Sequence, residues 1–410
     1  MTTICNADVC TGCSACLNVC SRGAIRMTEC APLGHIHPVI DADLCIDCGA
    51  CRRVCPALCP PEYHEPSLAV AAIAQKTEEC DRSASGGAAF MLGRVILQAG
   101  GVVYGAEMKS YREICHERYE SEAAMGRMRG SKYVQSEIGL SYRLVRKDLQ
   151  AGRPVLFTGT PCQIAGLKNY LHRDYDNLYC VDICCHGVPS RKLLRENVEA
   201  MFAECGKQPS DELKVSFRQI LSASKEALNI QYGVFCGEAI PMKKQLFLEN
   251  DYITAFMHGV TFRDSCFSCP YAQGKRVSDV TVSDYWGLPA SCTVPQGRGV
   301  SLMLASTPKG EALIERAKPY LIWEQRTVEE AIRGNGQLMH PSSVPASRAL
   351  FLRRYPEIGQ KAYRKAIRQY RVAYRYRLRK AILSKYPIIR RIHREIYKIV
   401  RRFNPLIDRV

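Results

Sequence analysis

Two copies of C-x2-C-x2-C-x3-C occupy the first sixty residues: Cys10, Cys13, Cys16 and Cys20, then Cys45, Cys48, Cys51 and Cys55, the last followed by Pro56. Three cysteines at intervals of three in a tight loop can aim their sulfurs at three corners of one cubane, while the fourth points to the other cluster. The spacing predicts two 4Fe-4S clusters, one on Cys10, Cys13, Cys16 and Cys55, the other on Cys45, Cys48, Cys51 and Cys20. Crossed ligation would let a module too small for a good apolar core fold on its metal. Gly12 and Gly49 are read as equivalent places where the loop approaches a cluster closely. Ser21 follows Cys20 where the pattern usually has proline, which loosens the turn without removing a ligand. Zinc sites use wider gaps and a disulfide framework implies secretion, so the doubled spacing favours clusters.

The chain of 410 residues, 47% of them hydrophobic, has core enough for two or three domains. It shows no signal peptide and no apolar run of the ~18 residues that a span needs, so a cytoplasmic protein is expected. The net charge of +17 is unevenly placed. From Arg348 onward there are 20 Lys and Arg against 3 Asp and Glu, which leaves 37 of each sign in residues 1–347. The basic element is thus the tail. From Tyr355 it reads as amphipathic helix, with Tyr363, Ile367, Tyr370, Tyr374 and Leu378 on one stripe and Ile388, Ile392, Ile396, Ile399 and Phe403 on a second beyond Pro387. Such helices lie on anionic membranes at the inner face, or dock acidic partners. Nucleic-acid binding has no reader motif to support it.

Pro56, Pro60, Pro61 and Pro66 mark an extended linker out of the cluster module. Helix and strand periods then alternate. Ser85-Gly86-Gly87-Ala88 opens an apolar helix, Val102-Val103-Tyr104 is a strand, residues 137–150 are helical, and Val155-Leu156-Phe157 and Leu178 to Cys184 are strands, each followed by a helix. The expected class is α/β (α+β): a bacterial ferredoxin-like module, a mixed-sheet α/β domain and a basic helical tail. The boundaries are placed at 1–60, 68–150, 151–345 and 348–410.

Thr160 is a good N-cap and Pro161 a good first helical residue, so Cys162 is expected in a first turn where free N–H groups favour a thiolate. Such a cysteine is a ligand or a reactive thiol. Cys185 ends a strand beside His186, and Cys266-Phe-Ser-Cys269 is a C-x2-C knuckle. Cys162, Cys185, Cys266 and Cys269 are enough for a third 4Fe-4S cluster; a redox-active disulfide at Cys266 and Cys269, or structural thiols, are the alternatives. Cys184 could replace Cys185. The cysteines without partner spacing, Cys5 among them, are taken as buried small hydrophobes.

The order and wording of Ser85-Gly86-Gly87, Arg129 to Gln135, Leu156 to Gln163, Cys185 to Ser190, Arg263 to Cys266 and Ser283 to Gly287 resemble the coenzyme F420 hydrogenase/dehydrogenase beta-subunit family, over about residues 68–310. The resemblance implies an FAD-binding iron-sulfur oxidoreductase, in some similar chains encoded with polysaccharide-synthesis enzymes. FAD would join one-electron clusters to a two-electron carrier or small-molecule substrate, deazaflavin-like or other. Its pyrophosphate needs N–H donors, which Ser85, Gly86 and Gly87 at a helix start offer, and positive charge, which Arg129 and Lys132 offer. Alternatively the glycines serve a tight turn and the basic residues are solvated. Asp284, Tyr285 and Trp286 are candidates to line the flavin or substrate, and His186 to protonate a reduced product. Ferredoxin or another redox protein is the expected partner. The competing function is a noncatalytic electron-relay subunit of a larger redox complex.

Overall fold

The computed structural model describes residues 3–220, 230–236, 243–246 and 249–383. The cluster module is built on a hairpin, β1 (Ile25–Cys30) and β2 (His35–Ile40), paired antiparallel with Ile25 opposite Ile40. Each cysteine repeat carries a short helix, Ala15–Val19 in the first and Ala50–Arg53 in the second, entered from a left-handed residue, Ser14 at φ 64° and Gly49 at φ 72°. Gly12 (φ 67°) matches Asp47 (φ 51°) instead, so Gly12 and Gly49 hold two different places of the repeat, and the expected equivalence is corrected. A side chain at Gly12 would also strike the guanidinium of Arg263 at 2.8 Å.

The large sheet is assembled from β3 (Leu68–Ala74), β4 (Val102–Met108), β5 (Ile114–Tyr119), β6 (Val155–Gly159) and β7 (Leu178–Ile183). A small antiparallel sheet of β8 (Val215–Ile220), β9 (Ile230–Cys236) and β10 (Lys243–Leu246) interrupts it, and β11 (Val280–Asp284), β12 (Ser301–Ala305) and β13 (Leu321–Arg326) complete it. The order is β13-β3-β12-β11-β7-β6-β4-β5, with β4, β6, β7 and β11 parallel and β5, β12 and β13 making it mixed. Residues 68–150 and 151–345 therefore share one sheet. Its strands are covered on both faces, as their near-continuous apolar runs require. Val103 and Leu156 pack with helices Ala88–Gln98 and Pro308–Ala317 on one side. Val102, Tyr104, Val155 and Phe157, offset by one residue, pack with Ser141–Gln150 and Pro161–Leu171 on the other.

A third core lies under the small sheet and helix Asp251–Met257, and here the tail appears as part of the body. Helices Ser347–Ile358 and Lys361–Leu383 contribute Phe351, Tyr355, Tyr363, Ile367 and Tyr370 to it. Tyr363 and Ile367 have no exposed surface. Tyr363, Ile367 and Tyr370 of the first apolar stripe are thus covered by the protein, which corrects their assignment to a free docking face, while Tyr374 is exposed. The second stripe, from Ile388 to Phe403, and the side chain of Leu378 lie outside the described residues. No described helix is long and apolar enough to cross a membrane.

Candidate redox centres and the cavity between them

The eight cysteines of the repeat fall into two sets in space. Cys10, Cys13, Cys16 and Cys55 line one small cavity; Cys20, Cys45, Cys48 and Cys51 line another. These are the crossed sets, because each short helix turns its fourth cysteine toward the opposite loop. Cys5 also reaches the first cavity, where its thiol hydrogen-bonds to Cys10 and Cys55. That contact lowers Cys10 to about 4 and Cys55 to about 7, while Cys5 itself is pushed up. No spacing rule marks Cys5, so sequence reasoning left it among the structural thiols. Burial raises Cys13 to about 12, so a bare thiol there keeps its proton until metal displaces it. Among the described residues no three or more His, Cys, Asp or Glu are grouped to hold a single metal ion; a cubane spreads its four ligands farther apart than one ion does.

The module is seated on the large domain at its first loop. The Tyr142 hydroxyl reaches the carbonyls of Cys13 at 2.9 Å and Gln163 at 2.7 Å. Gln135 donates to the Thr11 carbonyl at 3.0 Å, and Arg143 donates to the carbonyls of Asn18 and Cys20, each at 2.8 Å. A side chain at Gly166 would meet the Cys13 sulfur at 2.9 Å, so this cysteine packs on the helix that Cys162 begins.

That helix starts at Pro161, with Thr160 as cap and the Thr160 N–H donating to Gln163 Oε1 at 3.0 Å. Cys162 does sit in the first turn, 3.1 Å from the Thr160 hydroxyl. Burial nevertheless raises its pKa, against the opposing hydrogen bond from Thr160, so the expected stabilised thiolate is corrected. Cys185, just past the end of β7, is pushed up by burial and by the nearby sulfurs of Cys266, Cys162 and Cys269. Cys266, raised to about 12 by burial, is likewise within the field of Cys162 and Cys269. The four scattered cysteines therefore converge. Cys184 does not join them: after burial, the charges acting on it are Arg276, Asp182 and Asp284.

Beside this group opens a cavity of about 350 Å³ at the carboxyl ends of β6, β7 and β11, where parallel strands present their sites. Cys162 and Cys185 are in its wall. So are Ser85, Gly87, Arg129, Lys132, His186, Asp284 and Trp286. Two candidates are absent from the wall and are corrected. Tyr285 is buried, its hydroxyl donating to Glu330 at 2.9 Å, because the residue after Asp284 faces the core side of the sheet. Gly86 packs on β3, where a side chain would lie 2.4 Å from the Ala72 carbonyl.

The charges in the wall differ in availability. The Arg129 guanidinium pairs with Glu79, donates to Ser83 Oγ at 3.1 Å and stacks 3.5 Å over the Phe90 ring. Arg218 pairs with Asp284 at 3.0 Å. Lys132 donates to the Arg129 carbonyl at 2.9 Å, and desolvation of its ammonium pulls it down to about 7. Desolvation also lowers His186, which Asp284 opposes. His116 was missed by sequence reasoning. It lies in the wall, with one ring nitrogen 2.9 Å from the Thr158 carbonyl and the other 3.1 Å from Ser136 Oγ, and burial lowers it to about 4.

Residues 9–59 match the model of the 4Fe-4S dicluster domain, and residues 152–330 match that of the C terminus of the coenzyme F420 hydrogenase/dehydrogenase beta subunit. The chain is thus an iron-sulfur protein of oxidoreductase type, joining a dicluster module to a segment similar to the C terminus of that beta subunit. No curated protein matches it. Among solved structures, a chain of the xenon-derivatised F420-reducing [NiFe] hydrogenase complex from Methanosarcina barkeri is 17% identical, with a TM-score of 0.46 over 75% of this chain and 92% of that one.

Proposed function

We propose that the chain is an iron-sulfur flavoprotein oxidoreductase, relaying electrons between the N-terminal clusters and FAD, and so to or from a two-electron organic carrier or substrate. The observation that carries this is the cavity at the carboxyl edge of the sheet, whose wall includes two of four converging cysteines and whose neighbouring helix carries Cys13 on its flank. Cys162, Cys185, Cys266 and Cys269 would hold a third 4Fe-4S cluster. FAD, when bound, would supply the exchange between one-electron and two-electron carriers.

The residues present fit a phosphate-bearing cofactor. Ser85 and Gly87 precede helix Ala88–Gln98, Gly130 adopts φ 82° with open space where a side chain would stand, and Lys132 is a cation in the wall not committed to a carboxylate by any described ion pair. Asp284 and Trp286 would contact ring or substrate, and His186 would hold a proton near it, a role open to Cys162 only in a chain without the third cluster. A link to polysaccharide biosynthesis rests on the sequence resemblance alone, and a peripheral membrane contact would fall to the segment beyond residue 383.

Anaerobic purification with iron, sulfide and flavin counts tests the reading. About twelve irons and one FAD per chain, with bleaching on adding reduced deazaflavin, NADH or NADPH, are expected. About eight irons would remove the third cluster. Clusters without flavin would leave a relay subunit fed by ferredoxin.

A further inference from the structure

Arg263 is one of the two largest side chains buried to under 2% exposure, at 1%. The other, Arg276, has its counter-charge in Asp182 at 2.9 Å. Arg263 has none: among the described residues no carboxylate forms an ion pair with it. Its donors go to neutral acceptors, Nη1 to the Cys10 carbonyl at 3.2 Å, Nη2 to the Ile36 carbonyl at 2.9 Å and to Gln135 Oε1 at 2.7 Å, with His37 Nε2 3.3 Å from Nη1. Its Nε has no partner. A guanidinium stays charged at any ordinary pH, and a buried charge without a partner is strongly destabilising. The counter-charge must therefore come from sulfur: Cys10, whose pKa Arg263 helps to lower, supplies part of it, and a cluster ligated there would bring more.

The groups that attract it most are four sulfurs, Cys10 and Cys13 from the dicluster module, Cys162 and Cys266 from the large domain, while His35 and His37 also lie beside it. A 4Fe-4S cube on four thiolates is negative in both oxidation states, more so when reduced. We propose that Arg263 is the fixed positive charge shared by the proximal module cluster and the third cluster, raising the reduction potential of both and so easing electron passage between them. The third-cluster half of this rests on the function proposed above. The proximal half does not. Cys20, Cys45, Cys48 and Cys51 line a separate cavity and are not among the sulfurs named as acting on Arg263, so a cluster there serves as an internal reference.

The test is an EPR-monitored redox titration of the full-length holoprotein, as wild type, Arg263→Gln and Arg263→Lys, with iron counted in each. With Arg263→Gln the proximal potentials should fall, so that at fixed ambient potential the reduced fraction relative to oxidised drops about tenfold, equivalent to about 59 mV for one electron. The distal cluster should stay within error of wild type, and Arg263→Lys should stay near wild type throughout. Full iron with unchanged proximal potentials in Arg263→Gln overturns the proposal, as does an equal shift of all clusters. If Arg263→Gln takes up less iron, Arg263→Lys decides. Full iron and retained potentials support a charge role; lowered potentials, or failure to load, show that guanidinium geometry matters instead and overturn it. A count of about eight irons with a shifted proximal potential would sink the third cluster while leaving Arg263 as the proximal cluster's counter-charge.

Discussion

Lys132 holds its proton less tightly than a free lysine because its ammonium is enclosed beside two carbonyls, with its pKa near 7 in place of 10.5. The unfolded chain therefore binds more protons than the folded one between about pH 7 and 10.5. Stability should rise with pH across that window, and the full penalty applies below it. Lys132→Met should flatten the rise in a series of thermal melts. An anionic ligand near the ammonium should bind more weakly as pH passes upward through about 7, which flavin titration at several pH values would read. Among the cysteines, Cys185→Ser should lower iron from about twelve to about eight per chain, and Cys184→Ser should leave it unchanged. Equal losses from both would remove Cys185 from the ligand set.

The tail helices give a prediction at the next scale. Tyr363 is fully buried, edge-on to Phe351 at 4.8 Å and to Tyr355 at 6.3 Å, so Tyr363→Ala should cost about 3–5 kcal/mol in urea unfolding. Deleting residues 355–410 should uncover this core and destabilise the body, not simply release a membrane anchor. The stripe itself was plain in the sequence, since periodicity tells which face of a helix is apolar. It does not tell what covers that face, because Leu193, Val260 and their neighbours come from distant segments. Strands such as Val155-Leu156-Phe157 were legible for a local reason, being short apolar runs between turn residues. Tyr285 was misplaced because neighbours along an extended segment face opposite sides, and Gly86 because the bend before its helix turns it onto β3. Cys5 and His116 had no motif to announce them; only folding brings one to Cys10 and the other to Thr158.

Across the whole molecule, the module and the large domain meet through side chains that reach backbone carbonyls of the first cluster loop. Tyr142→Phe leaves the Cys13 and Gln163 carbonyls short of a donor in a buried place, and should lower stability by about 1–3 kcal/mol with iron content unchanged. Rapid-freeze EPR should show slower electron exchange between module and domain in that variant. Both effects absent would mean the seat is held elsewhere, by Arg143 and Asn18 for instance.

The contact from Arg263 to Cys10 spans 253 positions of the chain. During synthesis the segment from Cys10 to Cys55 leaves the ribosome complete, with all eight cysteines of the repeat, long before the residues that form its seat exist. The module thus has an interval in which it is an independent protein, open to whatever delivers iron and sulfide. Docking later closes the first loop beneath Gln135, Tyr142 and Arg263, and from then on repair of an oxidised proximal cluster would require that seat to open.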